Sequence, residues 1–120
     1  MTNICTSCFD IEGNCVSASV SIPMSFVQRA RGLLGRKSIS SDESMLFYNC
    51  SSIHMFGMRF PIDVVFLDTN FQIVKLVEHV KPWRLTSSKD AQHTLELASG
   101  CIAKHGLAVG NKLMINESIK

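Results

Sequence analysis

Along Val16-Ser17-Ala18-Ser19-Val20-Ser21-Ile22, apolar residues and serines alternate without an error. Successive side chains of a strand point to opposite faces, so this pattern predicts a strand with one buried face. Pro23 ends it. The period then changes. Phe26, Val27, Ala30, Leu33 and Leu34 recur at spacings of three and four, which marks one face of a helix. Ser25 with Gln28 reads as a capping box, and Gly35 suits the left-handed position after a last turn. Gly32 weakens the interior of that helix. A short helix over about residues 25 to 34 is therefore expected.

After a polar connection, apolar runs at 45–48 and 53–56 read as short strands. Residues 62–67, rich in β-branched side chains, predict a strong strand closed by a tight turn at Asp68-Thr69-Asn70. The return over 71–80 makes an antiparallel hairpin, stopped by Pro82. Residues 81–92 read as a loop, 94–98 as a strand, 102–107 as one helical turn and 112–116 as a last strand. Seven short strands, mostly neighbours in sequence, predict a mainly β domain, an antiparallel β-sandwich or barrel-like fold with one short α-helix near the N-terminus.

A chain of 120 residues fits one domain, with a core large enough to need no staples. Residues 1–15 carry no periodic apolar pattern and are expected to be loosely attached to a compact unit over 16–120. A net charge of +2 is too mild to imply nucleic acid or an anionic membrane as partner. No apolar run approaches the roughly 20 residues that cross a bilayer, and the start lacks the basic and apolar stretches of a signal peptide. A soluble, cytoplasmic protein is expected. The five cysteines, an odd set, then stay free thiols.

Three blocks carry a resemblance. They are Arg31-Gly32-Leu33-Leu34-Gly35-Arg36, the long run from His54-Met55-Phe56-Gly57-Met58-Arg59 through Phe60-Pro61-Ile62-Asp63 to Asp68, and Leu95-Glu96-Leu97-Ala98-Ser99-Gly100. Over about residues 16 to 115 the chain resembles the ancient-conserved-region family known as domain of unknown function 192. The resemblance implies a compact, mainly β domain and no particular reaction. Two departures stand out: the family's Asp-Gly-type turn is Thr69-Asn70-Phe71 here, and its closing Gly-Asp is Gly110-Asn111.

Candidate chemistry starts with Asp63, which shares a strand face with Val65 and Leu67. A carboxylate there needs partners, either backbone N–H groups or a ligand-facing role. His54 lies in an apolar run and reads as a satisfied core residue or as a general base, since imidazoles titrate near neutrality. Arg31 and Arg36 form a solvated basic patch or a fork for a carboxylate or phosphate. Trp83 either caps the core or walls a binding site with Arg84 at its rim. Arg59 and Glu96 are further ligand-binding candidates, although Glu96 also reads as an ordinary surface residue that points away from Leu95 and Leu97, toward solvent on a half-exposed sheet.

No metal or cofactor is expected. Cys50, His54 and Met58 are soft ligands, but strand residues four apart span roughly 13 Å and cannot close on one ion. Cys5 and Cys8 with Cys15 lack a fourth zinc ligand. Three functions remain. One is a non-catalytic module that binds a small anionic ligand or a protein partner through an arginine-lined face. A second is a small hydrolase or transferase using His54 and Asp63, and a third is a purely structural accessory protein. The enzyme needs His54 and Asp63 to converge; the binding face needs only the arginines.

Overall fold

Two strands without a solvent-facing side set the architecture. In the computed structural model, which describes residues 4–23 and 33–119, every residue of Ile62–Leu67 and of His93–Ala98 is buried. Such strands sit in the middle of a layered fold. The strands, in chain order, are β1 (Ile4–Asp10), β2 (Cys15–Ser17), β3 (Ser19–Ser21), β4 (Glu43–Phe47), β5 (Ser52–His54), β6 (Ile62–Leu67), β7 (Ile73–Val80), β8 (Leu85–Ser87), β9 (His93–Ala98) and β10 (Leu113–Ile119). One helix, α1 (Cys101–Lys104), is found among the described residues.

A central five-stranded sheet runs β3-β4-β9-β6-β7. A three-stranded sheet, β10-β1-β2, covers one of its faces, and a two-stranded ribbon, β5-β8, covers the other. All pairings are antiparallel except β3 with β4. The first core joins Leu46, Val65, Leu67, Leu95 and Leu97 of the central sheet to Cys8, Val16, Leu113 and the α1 residues Cys101 and Ile102. The second joins Ile62, Val64 and Phe66 to Ile53, Met55 and Met58 from the ribbon side, with Leu33.

The mainly β, antiparallel-rich reading holds, and the hairpin of β6 and β7 forms as expected. Several details differ. The alternating run 16–22 is divided between two sheets, β2 pairing with β1 and β3 with β4, with Ala18 between them. The segment expected to hang loosely at the N-terminus supplies β1, the middle strand of the three-stranded sheet, with Cys8 fully buried. Its mixture of Cys, Thr and Ser hides the period. Leu85–Ser87, expected as loop, pairs with β5. The helix expected near the N-terminus falls on residues outside the described ones, except for its end. There Arg36 N–H donates to Leu33 O at 3.2 Å and Gly35 takes the left-handed φ of 84°. The described helix, α1, lies instead near the C-terminus.

Burial separates the thiols. Cys8 is fully buried, and that burial, with smaller contributions from Cys15 and Asp10, pushes its thiol up to about 12. Cys15 is exposed. A thiol reagent at pH 8 should modify Cys15 in the native protein and leave Cys8 untouched until denaturant is added. Mapping the modified peptides by mass spectrometry checks this, and rapid native labelling of Cys8 would contradict it.

Candidate functional site

Asp63 opens the case because it is fully buried yet charged by nature. Opposite it β7 bulges: Ile62 pairs with Val80 but Val64 with Val77, leaving Glu78 and His79 against one residue. His79 takes φ 51° there, and its N–H donates to Asp63 Oδ1 at 3.0 Å. Oδ2 accepts N–H groups of Gly100 at 3.1 Å and Ile102 at 2.9 Å, at the start of α1. Three charge-assisted bonds thus tie β6, the β7 bulge and α1 together. The His79 ring also bonds the Ser99 hydroxyl. This is the backbone-accepting role among the readings of Asp63.

Glu96 stands on the other face of the central sheet. Its cross-strand neighbours are Met45 on β4 and Val64 on β6, and both belong to the layer covered by the ribbon. Glu96 is 7% exposed, not solvent-facing as expected, because the side that its alternation selects is covered as well. Among the described residues nothing donates to its carboxyl. Burial raises its titration from the ordinary 4.5 to about 7.

The outer side of the ribbon carries the most exposed Phe and Trp side chains among the described residues. Ile53 and Met55 point inward while His54 and Phe56 point out. Trp83 is 67% exposed and stacks on Phe56, 50% exposed, with centroids 6.1 Å apart and planes 25° apart. The His54 ring lies 5.2 Å from Phe56. Leu85, opposite His54 in register, is exposed too. Trp83 has φ 69°, a left-handed backbone rarely tolerated by a bulky residue. Two 2.7 Å hydrogen bonds hold it: Trp83 N–H donates to Met55 O, and Met55 N–H to Arg84 O. Arg59 and Arg84 are exposed beside this ledge in the chain.

The other expected site residues divide. Arg36 is taken by Glu43, with Nη2 3.1 Å from Oε2 on the surface. Arg31 lies outside the described residues. His54 is exposed rather than a core residue, and none of the hydrogen bonds of Asp63 reaches it. The expected pairing of these two as base and orienter is not formed: Asp63 serves three backbone donors while His54 lies on the outer face of the ribbon. His93 escaped the sequence reading. Buried at the start of β9, it accepts the Asn49 N–H at Nδ1, 3.1 Å away, and packs against Tyr48 and Phe71. Burial holds its titration below the ordinary imidazole value, an effect partly offset by Asp68.

The family model described as an uncharacterised ancient conserved region, domain of unknown function 192, matches residues 8–115. The chain belongs to this family. A UPF0127 protein of Thermococcus sibiricus is 30% identical over 109 residues, covering 85% of this chain and 69% of that protein. A UPF0127 protein of Pyrococcus horikoshii is 42% identical over 69 residues, and the match spans 55% of this chain and 59% of that protein. Solved structures are similar at lower identity. A protein of Sinorhizobium meliloti superposes with a TM-score of 0.79 at 21% identity, covering 95% of this chain and 93% of its own. A protein of unknown function from Novosphingobium aromaticivorans superposes with a TM-score of 0.78 at 18% identity, over 91% and 82% of the two chains. These likenesses show the fold alone and assign no activity. No helix among the described residues is long and apolar enough to cross a membrane.

Proposed function

We propose that this domain is a non-catalytic binding module whose Phe56–Trp83 ledge, with Arg59 and Arg84 beside it, receives a small anionic ligand with a flat apolar body. The observation that carries the reading is Trp83: a strained backbone and two short hydrogen bonds hold a large ring out in water, stacked on a second ring. Conformations of this kind cost about 1–3 kcal/mol and persist where a function uses them. A ledge fixed in advance loses little entropy when a ligand stacks on it. Charge completes the match. Segments 51–61 and 81–88, which build the ledge, contain Arg59, Lys81, Arg84 and His54 and no carboxylate. Guanidinium groups suit a carboxylate or phosphate in a forked geometry.

Calorimetric titration with benzoate-type aromatic carboxylates, against their neutral amides, tests the reading. The carboxylates should bind and the amides should not. Trp83→Ala and Arg84→Ala should each weaken binding by about tenfold, the size of one stacking or one charge-assisted contact. Arg36→Ala, which breaks a surface pair elsewhere, should leave binding unchanged. Equal affinity for amide and carboxylate, with Arg84→Ala silent, would remove the anion from the proposal.

A further inference from the structure

The turn between β4 and β5 is docked on the start of β9 by four hydrogen bonds. Asn49 N–H donates to His93 Nδ1 at 3.1 Å, and the Gln92 side-chain amide donates to Asn49 Oδ1 at 2.5 Å. Cys50 N–H donates to Gln92 O at 2.9 Å, and the Thr94 hydroxyl to Cys50 O at 2.7 Å. The first of these bonds differs from the rest in its chemistry. A backbone N–H can only donate, so Nδ1 must present a lone pair, and the ring proton of the neutral imidazole sits on Nε2. A second proton would enter at Nδ1 and set one N–H against another. The groups in the other three bonds do not titrate. Asn49 also holds a left-handed φ of 53°, outside any strand or helix.

The surroundings of the ring favour its neutral form. Tyr48, with centroids 5.0 Å apart, and Phe71, at 5.1 Å, flank an imidazole that is 9% exposed, and Leu67 of β6 is its register partner. Asp68 draws a proton toward the ring, but its Oδ1 already accepts the N–H groups of Asn70 and Gln72. Glu117 of β10 acts on Tyr48, and the Cys50 thiol is turned to Ser52 O. Among the described residues no carboxylate is bonded to the ring, so a proton gained there meets no salt-bridge partner. We propose that His93 is an acid-sensitive latch: while Nδ1 is bare it clasps Asn49, and once that nitrogen gains a proton it releases the 48–51 turn from β9. The turn is the part that yields, because β9 is buried along its whole length and paired on both sides, whereas Asn49 and Ser51 are exposed. The loosening reaches the ribbon's end directly, where Ser51 O accepts Ser88 N–H at 2.9 Å. Burial holds the ring below its ordinary 6.5, so the latch is shut at neutral pH and opens in acid. The inference is separate from the binding reading and involves no ligand.

Nuclear magnetic resonance of the wild-type protein tests it in two steps. At pH 7.5 the ring nitrogens of His93 should show the tautomer with hydrogen on Nε2; hydrogen on Nδ1 would overturn the proposal. Amide exchange, corrected for intrinsic rates, then follows the turn from pH 7.5 to pH 4.5. Protection of Asn49 and Cys50 should fall by about tenfold or more, with the midpoint at which His93 itself titrates. The Gln92 N–H, bonded to Leu67 O, and the β1–β10 amides report wider opening and should change much less. His93→Asn keeps an acceptor oxygen near the place of Nδ1 and cannot take the proton. It loses the contacts with Tyr48 and Phe71 and should be less stable throughout, yet its Asn49 protection should not vary with pH. Flat Asn49 protection in the wild type would overturn the proposal. So would a loss shared equally with the β1–β10 amides, or a fall in His93→Asn as steep as in the wild type. None of these outcomes touches the carboxylate titration at the ledge.

Discussion

Asp63→Asn is expected to lower the melting temperature by about 12 °C. Asparagine keeps one acceptor but replaces the other carboxylate oxygen with an N–H donor. Whichever way the amide turns, a donor then faces a donor: His79 N–H on one side, or Gly100 and Ile102 N–H on the other. Hydrogen bonds to a charged group contribute about 1.5–3 kcal/mol each, and an orphaned buried donor costs about 1–3 kcal/mol more. A loss of about 3 kcal/mol is therefore a modest expectation, and at this chain length each kcal/mol moves the midpoint by about 4 °C. The damage should be local first, with the exchange of His79, Gly100 and Ile102 amides accelerated beyond the average. A variant within about 0.5 kcal/mol of wild type would show that the clasp contributes little.

Much of this was legible in the residues. The fully apolar run around Asp63 marked a strand, and the lone carboxylate among Val65 and Leu67 marked a demand for partners. The donors were not legible, since Gly100 and Ile102 lie 37 and 39 residues away and meet Asp63 only through β6–β9 pairing. Glu96 failed for a related reason. Alternation showed correctly that it points away from Leu95 and Leu97, but not that this second side of the sheet is covered as well. Burial on the second face of a sheet is a property of a layer that is distant in sequence. Phe71 shows a third limit. It occupies a left-handed turn position, φ 61°, which favours glycine, and its ring packs 5.1 Å from His93. No local rule anticipates a phenylalanine there.

Glu96→Gln should stabilise the protein at pH 8. Folding raises this acid from 4.5 to about 7, so the native state binds the proton more tightly than the unfolded chain does. For a raised value the stabilising contribution is full below about 4.5 and is lost as pH climbs through about 7. The span corresponds to about 3 kcal/mol. Glutamine keeps the shape and cannot ionise, so it should gain about 1–3 kcal/mol at pH 8 after the cost of burying an amide, and little at pH 5. His93 works in the opposite direction. Its depressed value removes stability as pH falls below the ordinary imidazole range. Comparing variant and wild type at each pH cancels that shared contribution. Denaturant titrations at pH 5, 6, 7 and 8 should show the two proteins diverging steadily, with wild type the weaker at the alkaline end. A constant difference would mean that Glu96 keeps one protonation state throughout.

The binding ledge is the central claim, and the chain supplies its own reporter, because Trp83 is its single tryptophan. Its indole N–H gives one resolved nuclear magnetic resonance signal. On titration with benzoate at pH 6, that signal should move saturably, with the amides of Phe56 and Arg84 moving in step. Benzamide should leave all three in place. A stationary indole signal under saturating benzoate, or shifts confined to the His93 and Tyr48 region at the opposite face of β9, would contradict the account.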